Sequence, residues 1–98
     1  MGLDERLHEW ANEQDWNHID ADKYESVNEH EYIVSDWFED EDLDMFRTFR
    51  DYINSHGKTE FYNGKQFEYV RIDGYKYWIS ASHYSNGVCM NRRHESWD

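Results

Sequence analysis

The fold follows from residues 59–93, TEFYNGKQFEYVRIDGYKYWISASHYSNGVCMNRR, in which aromatic and β-branched residues lie between regularly spaced turn signals. Three dipeptides supply those signals: Asn63-Gly64, Asp73-Gly74 and Asn86-Gly87. Type I′ hairpin turns favour these pairs because both central residues need a positive φ. The stretch therefore predicts a four-stranded antiparallel β-meander with strands over 59–62, 65–72, 75–82 and 88–93.

A two-residue turn at Asp73-Gly74 also fixes how the second and third strands pair, with Val70 opposite Tyr77 and Arg71 opposite Lys76. One face of the sheet then belongs to the core and carries Val70, Ile72, Tyr75, Tyr77, Ile79 and Ala81. The other face carries Phe67, Tyr69, Arg71, Lys76 and Trp78. Three large aromatic residues beside two cations are more than a solvated sheet face requires, so this face is expected either to pack under the helix or the N-terminal segment or to hold a small nucleotide or a protein partner.

Upstream of the meander, the apolar residues recur at helical spacing. Over residues 40–55 the positions that fall on one helical side are Met45, Phe46, Phe49, Tyr52 and Ile53. Asp40, Glu41 and Asp42 suit the start of this helix, and Gly57 is expected to end it in the left-handed conformation. A second helix is predicted over residues 3–14. Residues 15–38 fit either a helical turn or a short strand, with a lean toward a helical turn followed by an extended piece.

Charge divides the chain as the secondary structure does. Residues 1–51 hold 17 Asp and Glu against 4 Lys and Arg, whereas residues 52–98 hold 5 against 6. We therefore expect one α+β domain, residues 1–98, in which N-terminal acidic helices, within 1–57, pack on the four-stranded meander of 58–98. The aromatic content of 18% favours a folded chain despite the net charge of -12.

Composition also narrows the function. The chain has no apolar run of the roughly 20 residues needed to cross a bilayer, and its first residues lack the build of a signal peptide. Cys89 is the single cysteine, which suits a reducing compartment, so we expect a cytoplasmic protein without membrane contact. No glycine-rich phosphate loop or nucleophile elbow is present, so the chain is not expected to be an enzyme.

The acidic half offers the first candidate site. The stretch 36–44, DWFEDEDLD, carries six carboxylates, and aromatic residues lie among them. Such a surface repels nucleic acid and attracts proteins with basic grooves. The candidate contact residues are Asp36, Trp37, Glu39, Asp40, Glu41, Asp42 and Asp44. They predict a small inhibitor or antidote of the nucleic-acid-mimic type, whose partner is a larger, basic, nucleic-acid-handling protein. Small phage counter-defence and toxin-immunity proteins are similar in size and charge.

The aromatic sheet face is the alternative. Tyr69 and Trp78 could stack a base while Arg71 or Lys76 holds a phosphate, with Arg92 and Arg93 as further cations, which would make the chain a small-ligand or nucleotide-binding module. No cofactor and no specific metal site are predicted, and a metal or hydrolytic site among the carboxylates is a third alternative. Four residues match the spacing of calcium-loop ligands, but Glu25 stands where that loop needs glycine, and the six histidines lack zinc-site spacing.

Overall fold

The computed structural model describes residues 2–20, 28–62, 64–81 and 87–97. Two α-helices, six β-strands and one 3-10 turn make up this part of the chain. In chain order they are α1 (Leu3–Asn12), β1 (Asn17–Ile19), β2 (His30–Val34), the 3-10 turn (Ser35–Trp37), α2 (Asp40–His56), β3 (Lys58–Tyr62), β4 (Lys65–Ile72), β5 (Tyr75–Ala81) and β6 (Val88–His94).

The strands form one antiparallel sheet in the order β1-β2-β6-β5-β4-β3. The prediction of acidic helices on a four-stranded meander is therefore wrong, because two further strands from the N-terminal half belong to the sheet. The predicted last strand is also not an edge: β6 lies between β5 and β2, and its pairing with β2 sets Ile33 opposite Met90.

The two added strands are short, which explains why the pattern did not resolve them. Tyr32, Ile33 and Val34 have the β-branched and aromatic character of a strand, and they lie in β2. The three residues of β1 are too few to show a period of two, and their strand exists because β2 pairs with them. The N-terminal half thus contributes two helices and two strands.

The turn at Asp73-Gly74 has the predicted type I′ conformation, and the connection that contains Gly87 does not. Asp73 and Gly74 have φ values of 50° and 80°, so both adopt the left-handed conformation that a type I′ turn needs. Gly64 has a φ of 76°, while its neighbour Asn63 lies outside the described residues. The third signal fails as a two-residue turn, because the last pair between β5 and β6 joins residues 81 and 88 and Gly87 lacks a positive φ. Asn86 also lies outside the described residues.

The core lies between the two helices and one face of the sheet. The side of α2 that its spacing predicts buries Phe46, Phe49 and Ile53, and Met45 and Tyr52 pack against them. The remaining buried members of this cluster are Leu7, Trp10, Ala11, Ile33, Val70, Ile72, Tyr77 and Met90. The strand residues among them share one face of the sheet, which is the inner face that the helices cover. The opposite face is called the outer face.

Gly57 ends α2 in a way that the sequence did not indicate. Its φ of -70° and ψ of 148° are extended rather than left-handed, so the chain passes directly from helix to strand. Glycine is nevertheless required, because a Cβ at this position would lie 2.4 Å from the Ile53 carbonyl oxygen. Glycine is needed at position 57 because the backbone of Ile53 lies so close, and not because the φ angle is left-handed.

The described helices include none with the length and apolar character that a bilayer-spanning segment requires.

Candidate functional site

The acidic segment, residues 36–44, runs from the 3-10 turn into the first turns of α2. Its carboxylate residues are all exposed: Asp36, Glu39, Asp40, Glu41, Asp42 and Asp44. Asp40, Glu41 and Asp42 occupy the first turn of the helix, where the dipole of the backbone favours negative charge. Part of this charge therefore stabilises α2 whatever else it does.

No described lysine, arginine or histidine nitrogen lies within 4.0 Å of these six carboxylates. One of them has a structural partner, because Asp42 accepts a hydrogen bond of 3.1 Å from the indole of Trp10. Asp40 has a φ of 51°, a left-handed conformation that Asp tolerates better than most residues. The other carboxylates of the segment present uncompensated charge to solvent.

Trp37 lies within this charged segment with 51% of its surface exposed. Its ring is 5.9 Å from the ring of Tyr32, which pairs across the sheet with Asn91 on the outer face. The only other exposed large apolar side chains among the described residues are Leu3 and Phe61. An exposed tryptophan beside unpaired carboxylates combines the two features expected of an acidic protein-binding surface.

The outer face of the sheet carries the second set of predicted residues. Tyr69 pairs with Trp78 and Arg71 with Lys76, which is the predicted register. Phe67, Tyr69, Lys76 and Trp78 are half-buried and Arg71 is exposed. Arg92 does not belong to this face, because it pairs with Tyr77 and points with it toward the core, so its suggested role as a further cation here is wrong.

Neighbouring side chains already occupy much of this face. The Lys76 ammonium lies 4.4 Å above the Tyr69 ring and also forms an ion pair with Glu60. The ring of Trp78 lies 5.8 Å from that of His30. A ligand that stacks on Tyr69 would have to displace Lys76, whereas Arg71 has no carboxylate within 4.0 Å among the described residues.

A buried polar network on the inner face was not predicted. Arg92 is only 7% exposed, and its Nε donates a hydrogen bond of 2.9 Å to Glu31. One of its terminal nitrogens donates to the Asn12 side-chain oxygen at 2.7 Å. Its guanidinium lies 4.3 Å from the ring centre of Trp16 and 4.4 Å from that of Tyr75. One arginine thereby joins α1, β2, β5 and the segment between α1 and β1.

The network continues from Arg92 to the hydroxyl of Tyr77, 3.4 Å away, and from that hydroxyl to Nδ1 of His8 at 2.7 Å. The other nitrogen of His8 lies 3.5 Å from Asp73. Burial lowers the pKa of His8 and raises the pKa of Tyr77 to about 12. Both groups are therefore neutral at pH 7, so the hydrogen bond between them joins a neutral phenol to a neutral imidazole.

Tyr77 is fully buried and His8 is 7% exposed, so the network offers no accessible nucleophile or base. It acts as an internal brace between the N-terminal helix and the sheet. The signal for it was present in the alternation of β6, where Arg92 lies two residues after the core residue Met90. An arginine at a core-facing position predicts buried partners for its charge.

Comparisons with protein-family models, with curated proteins and with solved structures found no match to this chain.

Proposed function

We propose that this chain is a small protein-binding inhibitor or antidote that contacts a basic, nucleic-acid-handling protein through the acidic segment. The observation that carries the proposal is the exposure of Trp37 among carboxylates that have no cationic partner in the described structure. A basic groove would supply those partners, and the indole would supply an apolar anchor at the centre of the contact. The single cysteine fits action in the cytoplasm.

The geometry supports a contact that forms quickly and depends on salt. The carboxylates are exposed and lie on one continuous segment, so they concentrate part of the overall charge of -12 on one surface. Long-range attraction of this kind raises association rates by about 10-fold to 1,000-fold and weakens as salt screens it. Dissociation, in contrast, should depend on how deeply Trp37 is buried by the partner.

The test uses two triple variants of equal charge change. The first neutralises the acidic segment at positions that spare Asp40 and Asp42, as E39Q/E41Q/D44N. The matched control neutralises exposed carboxylates at and near α1, as E5Q/E9Q/E13Q. Each chain is immobilised and exposed to cell lysate at low salt, and proteins that high salt elutes are identified and purified.

We expect the wild type and the α1 control to retain the same basic protein, and the acidic-segment variant to bind it at least about tenfold more slowly. The purified partner should lose its nucleic-acid binding when the wild-type chain is added, and Trp37→Ala should weaken that competition by accelerating dissociation. Equal retention by both triple variants, or recovery of no basic protein at all, would contradict the proposal.

The outer sheet face supports a second proposal, a small-ligand or nucleotide-binding module, because exposed Arg71 lies 5.6 Å from the Tyr69 ring. Titration with a nucleoside monophosphate, followed by tryptophan fluorescence, tests it. Trp78→Ala should abolish the response and E39Q/E41Q/D44N should leave it unchanged. A wild-type chain that shows no saturable response at millimolar nucleotide rules this function out.

A further inference from the structure

We propose that His18, Asp20 and Glu29 form a binding site for a divalent transition-metal ion of the zinc class. Each residue offers one donor atom, and the three donor atoms lie within 4.8 Å of one another. His18 lies in β1, Asp20 directly follows that strand, and Glu29 directly precedes β2. The site thus forms where the first two strands of the sheet begin to separate, away from the acidic segment.

The distances suit a shared cation. Nε2 of His18 lies 2.7 Å from the Glu29 carboxylate and 3.2 Å from the Asp20 carboxylate. Nitrogen and oxygen ligands about 2.1 Å from a zinc ion stand about 3.4 Å apart when the geometry is tetrahedral. A small opening of the cluster would therefore place all three donors at bonding distance from one ion.

A single hydrogen on the His18 ring cannot join all three side chains of this cluster. Nε2 of His18 carries at most one hydrogen, yet two carboxylates lie within hydrogen-bonding distance of it. Asp20 has no other hydrogen-bond or ionic partner within the described part of the chain. A metal ion in place of that hydrogen would satisfy both carboxylates, and two negative charges would neutralise its charge.

A carboxylate also lies on the far side of the His18 ring, beyond hydrogen-bonding distance. With Nε2 toward the cluster, Nδ1 faces Glu31, whose carboxylate is 3.9 Å away. Glu31 is itself held by Arg92 at 2.9 Å, so its position is fixed by the buried network. A ligated Nε2 would leave Nδ1 to donate toward this carboxylate, which a small rotation of the ring would bring into hydrogen-bonding distance.

Backbone contacts also hold the cluster in place. β1 and β2 pair His18 with Glu31 and Ile19 with His30, which fixes the two strands that carry the ligands. Arg93 donates a hydrogen bond of 3.0 Å to the carbonyl oxygen of Glu29. His18 therefore has a position set by the sheet, and Asp20 and Glu29 directly flank the two paired strands.

The donor set selects the class of metal. One imidazole and two carboxylates suit Zn²⁺, Co²⁺ or Ni²⁺, whereas Ca²⁺ and Mg²⁺ prefer shells made of oxygen alone. Three protein ligands leave at least one coordination position for water or for another molecule. This inference does not depend on the proposed function, because the acidic segment contributes no ligand.

The experiment titrates Zn²⁺ into the intact chain at pH 7 by isothermal calorimetry and records the visible absorption of Co²⁺ in parallel. We expect one ion per chain and the absorption of a low-coordinate Co²⁺ site. His18→Ala should lower the affinity at least about tenfold, since even loss of a supporting residue costs that much. His56→Ala, which removes an exposed histidine at the end of α2, serves as the matched control and should bind as the wild type does.

Glu29→Gln and Asp20→Asn supply further variants in case His18→Ala does not fold, as judged by circular dichroism without metal; each should also weaken binding. Three results would overturn the proposal: no binding of Zn²⁺ by the wild type, equal affinity of the His18→Ala and His56→Ala chains, or Ca²⁺ binding as tight as that of Zn²⁺. The last would indicate general attraction of cations to the acidic surface.

Discussion

Replacement of Arg92 by methionine tests whether the buried network braces the fold. Methionine keeps much of the apolar stem but removes the guanidinium that pairs with Glu31 at 2.9 Å. The two side chains are 8% and 17% exposed, so water can compensate little for the lost partner. Removal of one member of a buried ion pair costs about 3–5 kcal/mol, and the partial exposure of Glu31 favours the lower end.

Two further losses add to this cost. The contacts of the guanidinium with the rings of Trp16 and Tyr75, at 4.3 and 4.4 Å, are worth about 0.5–1 kcal/mol each. Methionine recovers part of that packing, so we expect Arg92→Met to lower the free energy of unfolding by about 3–4 kcal/mol. Domains of this size are stable by only about 5–15 kcal/mol, so the effect should be easy to measure.

Urea unfolding followed by circular dichroism gives the free energy of unfolding without relying on Trp16, whose fluorescence should change with the substitution. The matched control is Arg71→Met, at an exposed arginine on the outer face, which should cost less than about 1 kcal/mol. The double variant R92M/E31Q should be more stable than Arg92→Met alone, because it removes the uncompensated carboxylate. A loss below about 1 kcal/mol for Arg92→Met, or no recovery in the double variant, would refute the reasoning.

Three other substitutions probe separate features. Burial lowers the pKa of His8 below its ordinary value of 6.5. As the pH falls below about 6.5, the unfolded chain therefore binds the proton more readily than the folded chain does, and the wild type should lose stability. His8→Gln should lack this pH-dependent loss of stability when urea midpoints are measured from about pH 7 to about pH 5. Gly57→Ala places a Cβ against the Ile53 carbonyl oxygen and should cost about 1–3 kcal/mol in the same assay, whereas an unchanged midpoint would mean that the helix end relaxes freely. Phe61 is 73% exposed on edge strand β3, so Phe61→Lys should change stability by less than about 0.5 kcal/mol and reduce self-association measured by light scattering.

Local signals in the sequence were reliable where they were strong. The Asp73-Gly74 turn fixed the pairing of β4 with β5, and the spacing in residues 40–55 identified the side of α2 that is buried. Both features depend on residues that are close together in the chain, so the sequence pattern contains the information that predicts them. The sheet order depends instead on which distant strands pair, and no residue pattern in the short β2 indicates that it pairs with β6.

The candidate sites divide in the same way. Exposure of the acidic segment could be expected, because its charges are too dense to be buried. The cluster of His18, Asp20 and Glu29 could not be expected from the sequence, because its first and last residues are about ten residues apart and match no metal-binding motif. The pairing of β1 with β2 brings them together. The alternation of β6 places Arg92 on the core face with Met90, whereas its charge alone suggests a solvent-facing position.

The central place of β6 has a consequence for how this protein is made. On the ribosome, residues 58–81 could form their hairpins early, but β2 would have to wait until residues 88–94 emerged, since it pairs with β6. α1 can pack on α2 and β4 earlier, but the hydrogen bond from Arg92 to Asn12 would also wait for β6. The β1-β2 hairpin would thus stay separate from the rest of the sheet until β6 was synthesised.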